Sequence, residues 1–221
     1  MRERSNVMKK SIMLICVVLF GSFLFAQEKK PISYLGIGAD FPVLWEFADK
    51  GDSDYTAIGF NLNTAYITKS NVGFIFNLSL NFPQTIHSKS GGTTYTLTSS
   101  DYKVWMNDEM SFGVLYYFLH TDRFYVGAGP ILAGTIYIVN DKNNTASMYG
   151  VSVGMGFNLN GLFRINDKIG ITGGLIGLYN FATFGTLKTA ISTQSLTGKL
   201  TQFELNPYIG FTIALPAEPR R

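Results

Sequence analysis

Residues 71–82 read NVGFIFNLSLNF. Val72, Phe74, Phe76, Leu78, Leu80 and Phe82 share one parity, and Asn71, Gly73, Ile75, Asn77, Ser79 and Asn81 share the other. Successive side chains of a strand point to opposite faces, so this segment is a β-strand with one bulky apolar face and one small polar face. The same alternation runs through 202–215, where Phe203, Leu205, Pro207, Ile209, Phe211, Ile213 and Leu215 oppose Gln202, Glu204, Asn206, Tyr208, Gly210 and Thr212. It recurs through 149–160, and with few exceptions through 56–67 and 110–118. Segments 33–41, 124–138 and 169–181 carry glycines on both faces and are read as strands with less regular alternation.

Alternation alone does not say which face meets water, because a soluble antiparallel sheet also alternates. The polar residue types decide it. Across the eight segments only Asp40 and Glu204 are charged. A sheet surface in water would carry many Lys, Glu and Asp side chains. Glycine, Asn, Ser and Thr suit a narrow, filled barrel interior, and the aromatic and aliphatic face suits lipid. Segments of about ten alternating residues between turns are the signature of membrane β-barrels. Closure is a physical requirement, since an open edge in hydrocarbon leaves backbone groups unpaired. The expected fold is therefore all-β: a closed antiparallel up-and-down membrane barrel of about eight strands.

The connections alternate in length. Turns near Thr68–Ser70, Leu119–Arg123 and Arg164–Lys168 are short, whereas 42–55, 83–109, 139–147 and 182–201 are longer. Short periplasmic turns and long external loops are the rule for such barrels, which puts both chain ends in the periplasm. Aromatic girdles are expected at Tyr66, Phe118, Phe124 and Phe163 on the periplasmic side, and at Phe41, Phe82, Tyr179, Phe181 and Phe203 outside. Gly91-Gly92 in the longest loop suggests a hairpin that extends beyond the membrane. Pro130 and Pro207 fall inside expected strands, and each implies a bulge or a missing ladder bond.

The N-terminal segment sets the compartment. Lys9-Lys10 precedes SIMLICVVLFGSFLFA, residues 11–26, an uncharged apolar run too short for a comfortable transmembrane helix. A basic head, an apolar middle and a small residue at Ala26 read as a secretory signal peptide over 1–26, followed by a barrel over 27–215 and a periplasmic tail over 216–221. Loss of Arg2, Arg4, Lys9 and Lys10 together with Glu3 takes 18 basic and 15 acidic side chains to fourteen of each. A neutral mature chain gives no support to nucleic-acid binding, which needs a clustered basic face. Cys16 is the one cysteine and leaves with the leader, which excludes disulfides, thiolate metal sites and cysteine nucleophiles.

These patterns resemble the small eight-stranded bacterial outer-membrane barrels, the OmpX/OmpA-transmembrane-domain and OmpW-like group. The resemblance covers roughly 33–215 and rests on periodicity, together with the final strand FELNPYIGFTIAL, which looks like the assembly signal of such proteins. Here that strand ends on Leu215 and continues PAEPRR, where the group usually ends on an aromatic residue. The resemblance implies a monomer in the outer membrane, in contact with outer-membrane lipids and inserted by the barrel-assembly machinery. For the OmpW-like members it implies a small hydrophobic ligand.

Motifs for chemistry are sparse. His87 and His120 both fall in expected connections, and His87 with Ser88 or Asp101 is the one acid–base candidate. Gly36-x-Gly38, Gly127-x-Gly129 and Gly154-x-Gly156 open no helix and lack the context of a phosphate loop. No enzyme activity, cofactor or metal is expected. Trp45, Trp105 and Tyr102 read chiefly as interfacial anchors, and otherwise as a grip on a ligand or partner. Candidate lumen polar residues are Asp40, Asn61, Asn77, Asn158, Glu204, Asn206 and Tyr208. Ile75, Leu115, Tyr117, Ile131, Ile176 and Leu178 are the larger inward side chains among many glycines, a pattern that means either a tight barrel or an unfilled pocket. Asp40 and Glu204 lie on neighbouring strands at closure and should repel unless a cation, a shared proton or Arg164 intervenes. Two roles are in view: a surface or structural role through the external loops, with a host surface partner, and a narrow conduit or pocket for small, hydrophobic molecules. An eight-stranded barrel is too narrow for a general porin.

Overall fold

A computed structural model describes residues 31–48, 51–90, 93–143, 145–195 and 200–215. The expected signal peptide and the tail beyond Leu215 lie outside the described residues. The chain forms strands β1 (Ile32–Asp40), β2 (Val43–Ala48), β3 (Gly51–Ile67), β4 (Val72–Ser90), β5 (Thr93–Thr98), β6 (Tyr102–His120), β7 (Phe124–Asp141), β8 (Ala146–Arg164), β9 (Ile169–Thr189), β10 (Thr193–Ser195) and β11 (Leu200–Leu215). All pairings are antiparallel. β1 pairs with both β3 and β11, and β2 continues the same stave against the same two neighbours. From there the ladder passes through β3, β4, β6, β7, β8 and β9 to β11, which closes a barrel of eight staves. β5 extends β4, and β10 extends β9, at the end of the barrel away from the short turns.

The two faces fall where the parity places them. Ile37, Phe60, Phe112, Met155, Ile209 and Phe211 point outward and are exposed, as are the girdle residues Tyr66, Phe124, Phe41, Phe82, Tyr179, Phe181 and Phe203. Ile75, Leu115, Tyr117, Ile131, Ile176, Leu178 and Tyr208 point inward and are buried. An apolar exterior around a ring with no open edge is the solution that hydrocarbon demands.

The external connections differ from expectation. The segments 42–55, 83–109, 139–147 and 182–201 are mostly strand, because the ladders run on past the apolar band as hairpins. Beyond the membrane the outward face meets water and carries charge without penalty, so the charged residues that read as loop do not end the strands. Glu109 therefore belongs to β6 and points inward, which corrects the reading of Asp40 and Glu204 as the only strand charges.

At the opposite end the turns are tight. Asn71 takes a positive φ of 66°, tolerable for Asn, and its Oδ1 is 2.9 Å from His120 Nδ1. His120 thus closes β6 against the turn rather than standing in a solvated loop. Pro130 breaks the β6–β7 pairing at Val114 and Leu115 without shifting its register, so it costs a ladder bond and not a bulge. Pro207 lies opposite the break between β1 and β2, where Phe41 N donates to its carbonyl at 3.0 Å. Pro83 pairs with Ala57 beside the one register shift of the β3–β4 ladder, where Gln84 is the extra residue.

Candidate functional site

The interior has three levels. The lowest, near the short turns, is built on Asn160. Tyr34 and Tyr117 each donate to its Oδ1 at 2.9 Å, and its Nδ2 donates to Tyr208 Oη at 2.8 Å. Around this hub pack Ile67, Leu115, Tyr125 and Leu162. Of the two readings of the inward glycines, a tight barrel or an unfilled pocket, this level shows the first, since the space beside them is filled by their neighbours. A Cβ on Gly73 would stand 2.4 Å from the Tyr117 ring, and one on Gly127 would stand 2.8 Å from it. Tyr117 lies flat across both, so the small residues make room for a large one.

The middle level is polar. Asn61, Asn77, Asn158, Asn206 and Asp40 are buried here, each at most 2% exposed. Asn61 donates to Ser79 Oγ at 2.9 Å, Asn63 donates to Asn61 at 2.9 Å, and Asn77 donates to Ser111 at 3.2 Å. Glu204 and Glu109 complete the level. They stand on opposite staves, β11 and β6, and both are buried. Arg164 does not intervene. It sits at the short-turn end, bonded to Asp167 at 2.8 Å and to the Asp122 carbonyl at 3.2 Å. Among the described residues, the facing side chains of both levels are essentially inaccessible to solvent, which leaves no continuous water path between them.

The upper level opens into a vestibule of about 290 Å³. Its wall includes Tyr55, Ile86, Tyr102, Trp105, Val139, Met148 and Leu187. Tyr102 and Trp105 rings lie 4.7 Å apart, and Tyr55 meets Trp105 edge-on at 6.1 Å. At the floor, Tyr137 donates to Gln202 Oε1 at 2.5 Å and reaches Ser152 Oγ at 3.1 Å, while Asn107 donates to Tyr55 Oη. Trp105 and Tyr102 therefore face the lumen, which corrects their reading as interfacial anchors. Trp45 stacks on Phe203 of the outer girdle at 5.8 Å.

The acid–base candidate is not assembled. His87 Nδ1 pairs with Thr96 Oγ1 at 3.1 Å on the exposed β4–β5 hairpin. Asp101 instead accepts from Thr98 N at 2.8 Å and from its hydroxyl at 3.1 Å. Those hydrogen bonds hold its carboxyl below the usual carboxylate range. Asp40 and Glu204 lie beneath the vestibule floor rather than on its wall. Sequence reading misses Tyr34, Tyr55, Tyr137, Asn160 and Glu109. Parity marks Tyr34 and Asn160 as inward, but nothing in a single strand shows that they meet.

The fold defines a class: the small antiparallel barrels of bacterial outer membranes. Among solved structures, the chain is similar to the outer membrane protein OprG from Pseudomonas aeruginosa, with a TM-score of 0.54 and 15% identity over 86% of this chain and 99% of that one. A major outer membrane protein from Thermus thermophilus gives 0.54 and 15% over 80% and 99%. AlkL, determined in lipid bilayers, gives 0.52 and 15% over 89% and 96%. No protein-family model matches the chain, and no curated protein matches it.

Proposed function

We propose that this protein is an integral outer-membrane barrel whose extracellular vestibule binds a small, mostly apolar molecule bearing a hydrogen-bonding group. The supporting observation is the vestibule itself, a concave aromatic and aliphatic wall above the polar floor of Tyr137 and Gln202. Such a combination is the usual form of a small-molecule site, with apolar area for affinity and few polar groups for orientation. The sealed levels below favour a pocket over a conduit to the periplasm. No catalytic role is proposed. Assembly through the final strand, residues 203–215, is part of the same reading.

A second reading rests on the β4–β5 hairpin. Every residue of Thr93–Thr98 is exposed, with Tyr95 and Leu97 among them, and among the described residues β5 pairs with β4 alone. That projecting hairpin fits a surface contact with a partner outside the cell.

The pocket reading is tested with purified protein in lipid nanodiscs and 1-naphthol as the probe. Saturable quenching of Trp105 fluorescence is expected, retained in Trp45→Phe and lost in Gly150→Leu. Gly150 lines the vestibule and a Cβ there meets nothing nearer than the Phe184 carbonyl at 3.4 Å, so the Leu side chain is expected to enter the cavity. Equal binding by the wild type and Gly150→Leu would overturn the reading.

A further inference from the structure

The barrel wall carries a second cavity, of about 380 Å³, where β2, β3 and the β4–β5 hairpin meet. Its lining includes Trp45, Asp54, His87, Lys89 and Thr94. Trp45, Asp54, His87 and Thr96 form one cross-strand row over the four strands, and Lys89 pairs with Thr94 in the next row outward. Phe203 of the outer girdle pairs with Trp45 and stacks on it, so this row faces away from the lumen. The register shift at Gln84 turns His87 and Lys89 outward, whereas Asn81, of the same parity, points inward and is buried. Re-aiming a side chain in this way is a common use of a bulge.

The lining is dipolar. Asp54 and Lys89 are diagonal neighbours on the β3–β4 ladder, about 7–8 Å apart at the backbone. Among the described residues no ion pair joins them. Trp45 lies directly across from Asp54 and brings an indole to the acidic side. On the basic side His87 Nδ1 is engaged by Thr96 Oγ1 at 3.1 Å, which leaves Nε2 for a ligand. An anion alone would meet Asp54, and a cation alone would meet Lys89. A ligand that carries both charges is matched at both ends. The position selects among such ligands, because interfacial aromatic belts lie at the level of the lipid headgroups and this cavity begins at Phe203 and Trp45.

We propose that this cavity binds the zwitterionic headgroup of a phospholipid of the surrounding membrane, of the phosphoethanolamine type. Lys89, with His87 Nε2 and the Thr94 hydroxyl, takes the phosphate through charge-assisted hydrogen bonds. Asp54 accepts from the ammonium, and the Trp45 ring adds a cation–π contact. The acyl chains then run down past Phe203 along the apolar band. The site lies outside the lumen and stands independently of what the vestibule binds.

The test reconstitutes the full barrel in nanodiscs of equal parts phosphatidylethanolamine and phosphatidylglycerol, and native mass spectrometry counts the lipid retained when the disc is stripped. The wild type should keep one phosphatidylethanolamine per chain, favoured about fivefold over phosphatidylglycerol, the scale of one exposed charge interaction. Asp54→Asn/Lys89→Gln should lose the preference. Asp54→Asn alone leaves the cation in place and should move retention toward phosphatidylglycerol. Asp122→Asn, at an exposed short turn, should change neither. Heat-modifiable gel migration checks that each variant is folded. In Trp105→Phe protein, Trp45 is the one tryptophan left, so its emission gives a second readout. It should shift saturably with sn-glycero-3-phosphoethanolamine and not with sn-glycero-3-phosphoglycerol. Equal retention of the two lipids by the wild type, a wild-type preference for phosphatidylglycerol, or undiminished phosphatidylethanolamine retention in the double variant would each overturn the proposal.

Discussion

The two halves of this lumen are built from similar residues and solve opposite problems. Near the short turns, Tyr34, Tyr117 and Tyr208 surround Asn160, and the shared amide meets all three hydroxyls. Toward the outside, Glu109, Glu204 and Asp40 crowd one level with most of their oxygens unmet, and above them the barrel widens into the aromatic vestibule. A satisfied buried network rigidifies a core, whereas buried carboxyls without a direct protein partner call for water or a proton. The closed half is the foundation, and the open half is where the molecule meets its surroundings.

The largest effect should come from breaking the foundation. Asn160→Ala strips the acceptor from two buried tyrosine donors and should destabilise the barrel by about 4 kcal/mol, at 1–3 kcal/mol per unmet group. Urea unfolding in lipid vesicles reads this directly, and a loss below about 1 kcal/mol would show that the hub is not the organiser of that half. Next comes the lipid-facing surface. Ile209→Arg should cost about 3 kcal/mol near the bilayer midplane, whereas Asn77→Ser, facing inward, should cost less than about 1 kcal/mol. Equal tolerance at both sites would mean that the faces are reversed.

In the open half the sign should change. Glu204→Gln removes one of three buried acids of that level and should stabilise the barrel by about 1 kcal/mol. A loss of stability there would mean that the carboxylate is fully compensated. The smallest effect is expected at Trp105→Ala. Its half-exposed ring lines the vestibule, so stability should fall by about 1 kcal/mol or less, although 1-naphthol binding, read by calorimetry, disappears.

Much of this comparison is legible in the order of the residues. Parity alone places Ile75, Leu115, Tyr117, Ile176 and Tyr208 inside and Phe76, Ile209 and Phe211 outside, because a strand with one buried face cannot slip by a residue without exposing its whole core. Stave number follows from the count of alternating segments. Glu109 escapes because 102–109 reads YKVWMNDE, whose charges suggest loop, while outside the membrane a barrel strand continues into water with its charges intact. The meeting of Tyr34, Tyr117 and Tyr208 at Asn160 is not readable either, since contact between different walls depends on strand stagger rather than on any local pattern. Trp105 reads as an anchor for the same reason that hides Glu109: with the strand ends misplaced, its parity cannot be assigned.

The central claim is that the outer half is a pocket closed from below, and single-protein conductance in planar lipid bilayers tests it most directly. Purified wild-type protein should insert without a stable open-channel current, and Tyr117→Ala/Tyr208→Ala, which removes two rings of the lower seal, should produce one if the barrel stays folded by heat-modifiable gel migration. Steady ohmic conductance from the wild-type barrel would contradict the account, because ions would then cross levels whose facing side chains leave water no path.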